Sequence, residues 1–108
     1  MHILFDHGTP SGVAASLSGH RVTEAIERGW DRISNGELLT ASEAARFDVL
    51  LTTDKRIRYQ QNLARRKIVI VVLGNSTWRV VRLRLGRIAS VVAEAKPGSY
   101  SEIDIPTK

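Results

Sequence analysis

Two aspartates stand at the ends of apolar runs. Asp6 follows "HILF", His2 to Phe5, and Asp54 follows "DVLLTT", Asp48 to Thr53. If both runs are strands of one parallel sheet, their carboxyl ends share an edge and the two carboxylates converge there. Carboxylates a few ångströms apart repel, and a hard divalent cation relieves the repulsion, so Mg²⁺ or Mn²⁺ is the expected occupant. Each acid can instead cap a neighbouring turn, Asp6 through Gly8 and Asp54 through the Arg56 segment. Asp48 opens the run that Asp54 follows, roughly 15 to 20 Å away at about 3.3 Å per residue, and reads as a turn residue.

Glu37 has two readings. With Ser34 three residues before it, it completes a capping box, which accounts for it fully. In the first turn of a helix it can also point at the edge that carries Asp6 and Asp54. Asn35 shares that ambiguity, as a cap or as a polar group of the site. His2, His7 and His20 have no metal-ligand spacing, and only His7 adjoins the proposed site. No G-x-S-x-G elbow occurs, so acyl transfer has no support.

After Asp54 the chain turns basic. "KRIRYQQNLARRK" carries Lys55, Arg56, Arg58, Arg65, Arg66 and Lys67, interleaved with Tyr59, Gln60, Gln61 and Asn62. Guanidinium groups take phosphates by paired hydrogen bonds and tyrosine stacks on an exposed base, so single-stranded nucleic acid is a fitting guest. The plainer reading is a solvated basic loop. Arg79, Arg82 and Arg87 read as a solvated or partner-binding face.

These residues need elements to hold them. His2 to Phe5 and Arg21 to Ala25 read as strands, separated by the loop His7 to Gly12 and a short helix through Leu17. "ERGWDRISNG" is irregular or partly helical. A helix begins at Ser34, with Leu38, Ala41 and Ala45 on one face. Asp48 to Thr53 and Lys67 to Leu73 are apolar without alternation, as strands covered on both faces are. "STWRVVRLRLGRIASVVAEA" predicts one long helix with Trp78, Val81, Leu85, Ile88 and Val92 inward, weakened at Gly86 by about 1 kcal/mol relative to alanine. "YSEIDI" adds an edge strand. The alternation predicts an α/β fold, a three-layer α/β/α sandwich with a mostly parallel central sheet.

A chain of 108 residues makes one domain spanning 1–108. Absence of cysteine removes disulfides, thiol catalysis and thiolate metal sites, and suits a reducing compartment. "MHILFD" is no signal peptide and no run of 18 apolar residues occurs, so the expectation is a cytoplasmic chain with no membrane segment. The net charge of +5, mostly arginine after Asp54, suits a polyanion or an acidic partner.

"ILFD", "NGELL" and "FDVLLTTDKRIRYQQNL" together resemble the small PIN-like proteins, relatives of the PIN-domain ribonucleases and of toxins of toxin-antitoxin pairs. The similarity runs through "IVIVVL" to "PGSY". It implies a PIN-like fold with an acidic metal pocket at the strand edge and metal-dependent hydrolysis of phosphodiesters. Asp6 matches the acid after the first strand, Asp54 the acid of the T-x-D segment, and either Asn35 or Glu37 the acid of the central helix. On that resemblance Asp6, Glu37 and Asp54 hold one or two Mg²⁺ or Mn²⁺ ions, Arg56 and Arg58 position RNA, and Thr52 or Thr53 orients a carboxylate or water. An antitoxin and a homodimer are the implied partners. The chain has fewer acids than the typical PIN set, and His7 and Gly8 stand where a second acid often follows the first. Those departures favour an alternative, a PIN-like binding module without chemistry. A further alternative is a receiver-like phosphoacceptor, with Asp54 as acceptor and "KPG" at Lys96 supplying its lysine.

Overall fold

The computed structural model describes residues 1–60 and 63–107; Gln61 and Asn62 of the basic segment lie outside the described residues. Five strands, β1 (His2–Phe5), β2 (Arg21–Glu24), β3 (Val49–Thr52), β4 (Val69–Leu73) and β5 (Tyr100–Ile103), form one sheet in the order β2-β1-β3-β4-β5. All four pairings are parallel, where the sequence predicts mostly parallel ones. Phe5 lies level with Glu24 on one side and Leu51 on the other, so the residues ending β1, β2 and β3 share one edge.

Every residue of β3 and β4 is buried, which explains their unbroken apolar sequence. Alternate side chains feed two cores. Ile3, Phe5, Leu51 and Val71 pack with Val13 of a 3-10 turn (Ser11–Ser16) and with Val81, Ile88 and Val92. Leu4, Leu50 and Ile70 pack on the other face with Leu38, Leu39 and Ile57. The helices that supply these residues are α1 (Asn35–Ala44), α2 (Ile57–Gln60), α3 (Trp78–Val81) and α4 (Leu85–Glu94). They cover both faces of the sheet, so the layers are helix, sheet, helix.

The predicted single helix from Ser76 to Ala95 is not continuous. α3 ends at Val81, a 3-10 turn runs from Arg82 to Arg84, and α4 begins at Leu85. Gly86 sits just past the break, where its poor helix propensity offers least resistance. Trp78, expected inward, is 41% exposed, and Val80 is buried beside Val81. A 3-10 turn, Ala25–Arg28, runs into the start of "ERGWDRISNG" and is closed by Gly29 at φ 75°. Among the described residues no helix is long and apolar enough to cross a membrane.

The strand order reverses direction at β1, so the crevice between the carboxyl ends of β1 and β3 is the topological switch point, the usual place for a ligand in open α/β sheets.

Candidate active site at the carboxyl edge of the sheet

Asp6 continues β1 into that crevice. Its N–H donates to Leu51 O (2.9 Å), which extends the β1–β3 pairing by one bond. The chain then turns sharply, with Thr9 N–H donating to Asp6 O and Thr9 Oγ1 to Leu51 O (both 3.1 Å). Gly8 makes the turn at φ 93°, a conformation other residues rarely adopt, and a Cβ there would sit 3.3 Å from Thr53 Oγ1.

The fully buried Thr52 connects the two acids. Its Oγ1 donates to Asp6 Oδ2 (2.7 Å) and accepts from the Asp54 N–H (3.1 Å). The other Asp6 oxygen takes the His7 N–H (2.7 Å). Burial raises the Asp6 carboxyl above its usual range; the Thr52 and His7 bonds oppose the shift, and the negative charge of Asp54 adds to it.

Asp54 is handled differently. Arg56 donates its backbone N–H (2.9 Å) and Nε (3.1 Å) to Oδ1 and its Nη2 to Oδ2 (3.3 Å). Asn35 Nδ2 donates to Oδ2 as well (3.1 Å). Arg56 is the main reason the Asp54 carboxyl lies below its usual range; burial works against the shift and Asn35 with it. The Arg56 side chain is 76% exposed, so this counter-charge comes from the solvent side.

Of the two residues offered by α1, Asn35 reaches the site. Glu37 Oε1 accepts from Ser34 N–H (3.3 Å) and Ser34 Oγ (2.9 Å), and Ser34 Oγ accepts from Glu37 N–H (3.2 Å). That reciprocal cap holds Glu37 at the helix start, the first of the two readings its sequence offers. Among the described residues, no three of His, Cys, Asp and Glu gather around a common point. The centre has two carboxylates, a bridging hydroxyl and an amide.

The chain matches no family model, no curated protein and no solved structure.

The expected nucleic-acid cluster is divided between the two ends of the strands. Arg56 lies at the carboxyl edge, and Arg58 pairs with Glu102 on β5 (3.3 Å), level with Thr52 through Val72, and lies over the Tyr59 and Tyr100 rings. Tyr59 is 80% exposed. Arg66 binds Glu43 (2.8 Å) and Thr40 (3.3 Å) at the opposite edge, where β4 begins, and Arg65 beside it is exposed. Lys96 also sits at the opposite edge: its carbonyl accepts from Ser99 N–H just before β5. The lysine of the receiver-like alternative is thus at the wrong end of the sheet from Asp54. Asp48 is the turn residue expected, with Oδ2 accepting from His2 N–H (2.8 Å).

Sequence reasoning overlooked Glu24, although "RVTE" ends β2 in an acid just as "ILFD" ends β1. A cavity of about 170 Å³ lies between them, lined by Asp6, His7, Gly8, Thr9, Glu24 and Ile26 among others. Glu24 Oε1 accepts from Ser11 Oγ (3.0 Å). A larger and more apolar cavity, about 320 Å³, lies at the opposite edge beside Met1, Phe47, Asp48 and Ile68, away from the two aspartates.

Proposed function

We propose that the chain is a metal-dependent phosphodiesterase of the PIN-like kind, acting on RNA through Asp6 and Asp54. The observation that carries this reading is that one buried hydroxyl, Thr52 Oγ1, ties the Asp6 carboxylate to the Asp54 backbone N–H at the β1–β3 switch point, so that the two acids stand at one edge. The donor set suits the cation: all-oxygen, two carboxylates, and open to solvent on the Arg56 side, as for Mg²⁺ held by few protein groups and retaining its waters. Asp6 and Asp54 would hold the ion, which when bound lowers the pKa of a water and offsets charge developing at phosphorus.

The chain's own groups have separate tasks. Thr52 fixes the rotamer of Asp6 and the height of Asp54 relative to it. Asn35 orients Asp54 from α1. Arg56 neutralises Asp54 until substrate arrives and is then within reach of a phosphate, to which a guanidinium donates two parallel hydrogen bonds. Burial keeps Asp6 costly to ionise, so a cation that replaces the missing counter-charge gains affinity from relieving that cost.

Two observations favour the binding-module alternative: Glu37 is committed to its cap, and Asp54 already has a cation in Arg56. Incubation of the protein with labelled single-stranded RNA and Mn²⁺ separates the two. The phosphodiesterase reading expects metal-dependent cleavage that disappears in Asp6→Asn and Asp54→Asn. Intact RNA with the wild type, from a folded protein, would leave the module. A role as toxin of a toxin-antitoxin pair is the biological form this activity would take; growth arrest on expression, relieved by Asp6→Asn, is its test.

A further inference from the structure

No Asp or Glu falls between Lys55 and Ala93, yet the basic residues in that stretch have different fates. Arg56, Arg58 and Arg66 are each paired with an acid from elsewhere in the fold. Among the described residues, Arg79, Arg82, Arg84 and Arg87 make no ion pair and no side-chain hydrogen bond. Three of the four are exposed and Arg84 is half-buried. These four unpaired arginines form a dense run of uncompensated positive charge on α3, α4 and the turn between them. On the loop after Asp54 the acids of the fold neutralise Arg56, Arg58 and Arg66 and, among the described residues, leave Lys55, Arg65 and Lys67 without an ion pair.

The surface has a definite place. Val80, Val81, Ile88 and Val92 bind the helices to the sheet, which turns the arginines outward. Trp78 at the start of α3 lies against Gly12, where a Cβ would come within 2.5 Å of its ring. Gly12 follows the Asp6 turn, so the arginine face begins beside the carboxyl edge and leads away from it. Measured along the axes of α3, the 3-10 turn and α4, the path from Arg79 to Arg87 is at least about 12 Å, at roughly 1.5 Å per α-helical residue and about 2.0 Å per 3-10 residue, long enough to meet more than one phosphate.

We infer that the α3–α4 face, through Arg79, Arg82, Arg84 and Arg87, binds the phosphodiester backbone of single-stranded RNA leading to or from the carboxyl edge. Its composition favours nucleic acid over an acidic protein. Leu83 is the one large apolar side chain exposed among the arginines beyond Trp78, whereas protein interfaces have apolar centres depleted in charge. Interfaces with nucleic acid are strongly positive and polar. A second copy of this face would repel the first. The choice of RNA as the polyanion rests on the proposed function, but the binding itself does not need the reaction.

The test is a fluorescence-anisotropy titration of a labelled single-stranded RNA, without divalent metal, at several salt concentrations. The triple variant Arg79→Gln, Arg82→Gln, Arg87→Gln is compared with Arg58→Gln, Arg65→Gln, and circular dichroism checks that both are folded. The expected result is a loss of about tenfold or more for the triple variant, with the log K versus log salt slope smaller in magnitude by about 2, since each single-strand phosphate contact contributes about 0.7. The double variant should stay within about twofold of wild type. Unchanged affinity and slope in the triple variant, an equal loss in the double variant, or no binding by wild type at low salt would overturn the inference. So would a polyglutamate peptide that competes as well as RNA, which would reassign the face to acidic proteins. Binding through this face without Mn²⁺-dependent cleavage would uphold the inference and refute the phosphodiesterase.

Discussion

The two edges of the sheet use acids in opposite ways. At the opposite edge, where the strands begin, Glu43 accepts from Arg66 (2.8 Å), from Lys67 N–H (2.8 Å) and from Ile68 N–H (3.4 Å). Burial pushes its carboxyl up, but the arginine and the two amides together hold it below the usual range. At the carboxyl edge, burial and the neighbouring charge of Asp54 keep Asp6 above its usual range despite two hydrogen bonds. Glu43 therefore adds to stability when ionised, and Asp6 subtracts from it. An acid that closes the ends of a strand and a helix is fully satisfied by the protein, while an acid that costs stability leaves a demand for a cation. Such unmet demand clusters at functional sites.

The comparison breaks most visibly at Asp6. Asp6→Asn should lower Mn²⁺-dependent RNA cleavage by on the order of 100-fold, at the upper end of what even the outer supports of a metal site cost. Its thermal stability in metal-free buffer should be equal to or higher than wild type, because the costly charge is gone. A variant that loses activity only because it unfolds would equate Asp6 with Glu43 and remove the distinction between the edges.

Glu43→Gln should do the reverse. Loss of charge-assisted bonds to a half-buried arginine and two backbone amides should cost about 2 kcal/mol in chemical denaturation, with cleavage per folded molecule unchanged. The pH dependence sharpens this pair. Glu43 contributes stability that is present above the usual carboxylate range and lost as pH falls through its depressed value. Asp6 gives the opposite slope: stability falls as pH rises from the ordinary aspartate value to its raised one. Denaturation of Glu43→Gln and Asp6→Asn across the acid range should show the first and second of these slopes removed, respectively.

The smallest effect is expected at Arg46, which follows α1 and leads into β3 at the opposite edge with φ 65°. A left-handed conformation costs a non-glycine residue about 1–2 kcal/mol, and glycine's greater unfolded-chain entropy returns part of that gain. Arg46→Gly should stabilise the protein by about 0.5 to 1 kcal/mol, read as a rise in melting temperature, and leave cleavage unchanged.

The sequence made some of these features legible and hid others for physical reasons. The unbroken apolar runs of β3 and β4 identify buried parallel strands, and an acid just past a strand end identifies the carboxyl edge, which is how Asp6 and Asp54 could be found. Asn35 and Glu37 could not be separated, since both occupy the first turn of α1 and only side-chain direction decides which meets Asp54. The fate of the basic loop was hidden because its partners are distant in the chain: Arg58 meets Glu102 across 44 positions and Arg66 meets Glu43 across 23. Charge runs reveal where positive residues are concentrated, not which of them the fold will neutralise. The break after Val81 was equally obscure, because the heptad-like spacing of Val81, Leu85, Ile88 and Val92 continues through it.

The central claim is a cation site made by Asp6 and Asp54 with no contribution from Glu37. Its most direct test is calorimetric titration of Mn²⁺ into wild type, Asp54→Asn and Glu37→Gln, the last of which preserves the helix cap because glutamine also serves there. The account predicts binding by wild type and Glu37→Gln at similar affinity and its loss in Asp54→Asn. No binding by the wild type, or equal loss in both variants, would contradict it.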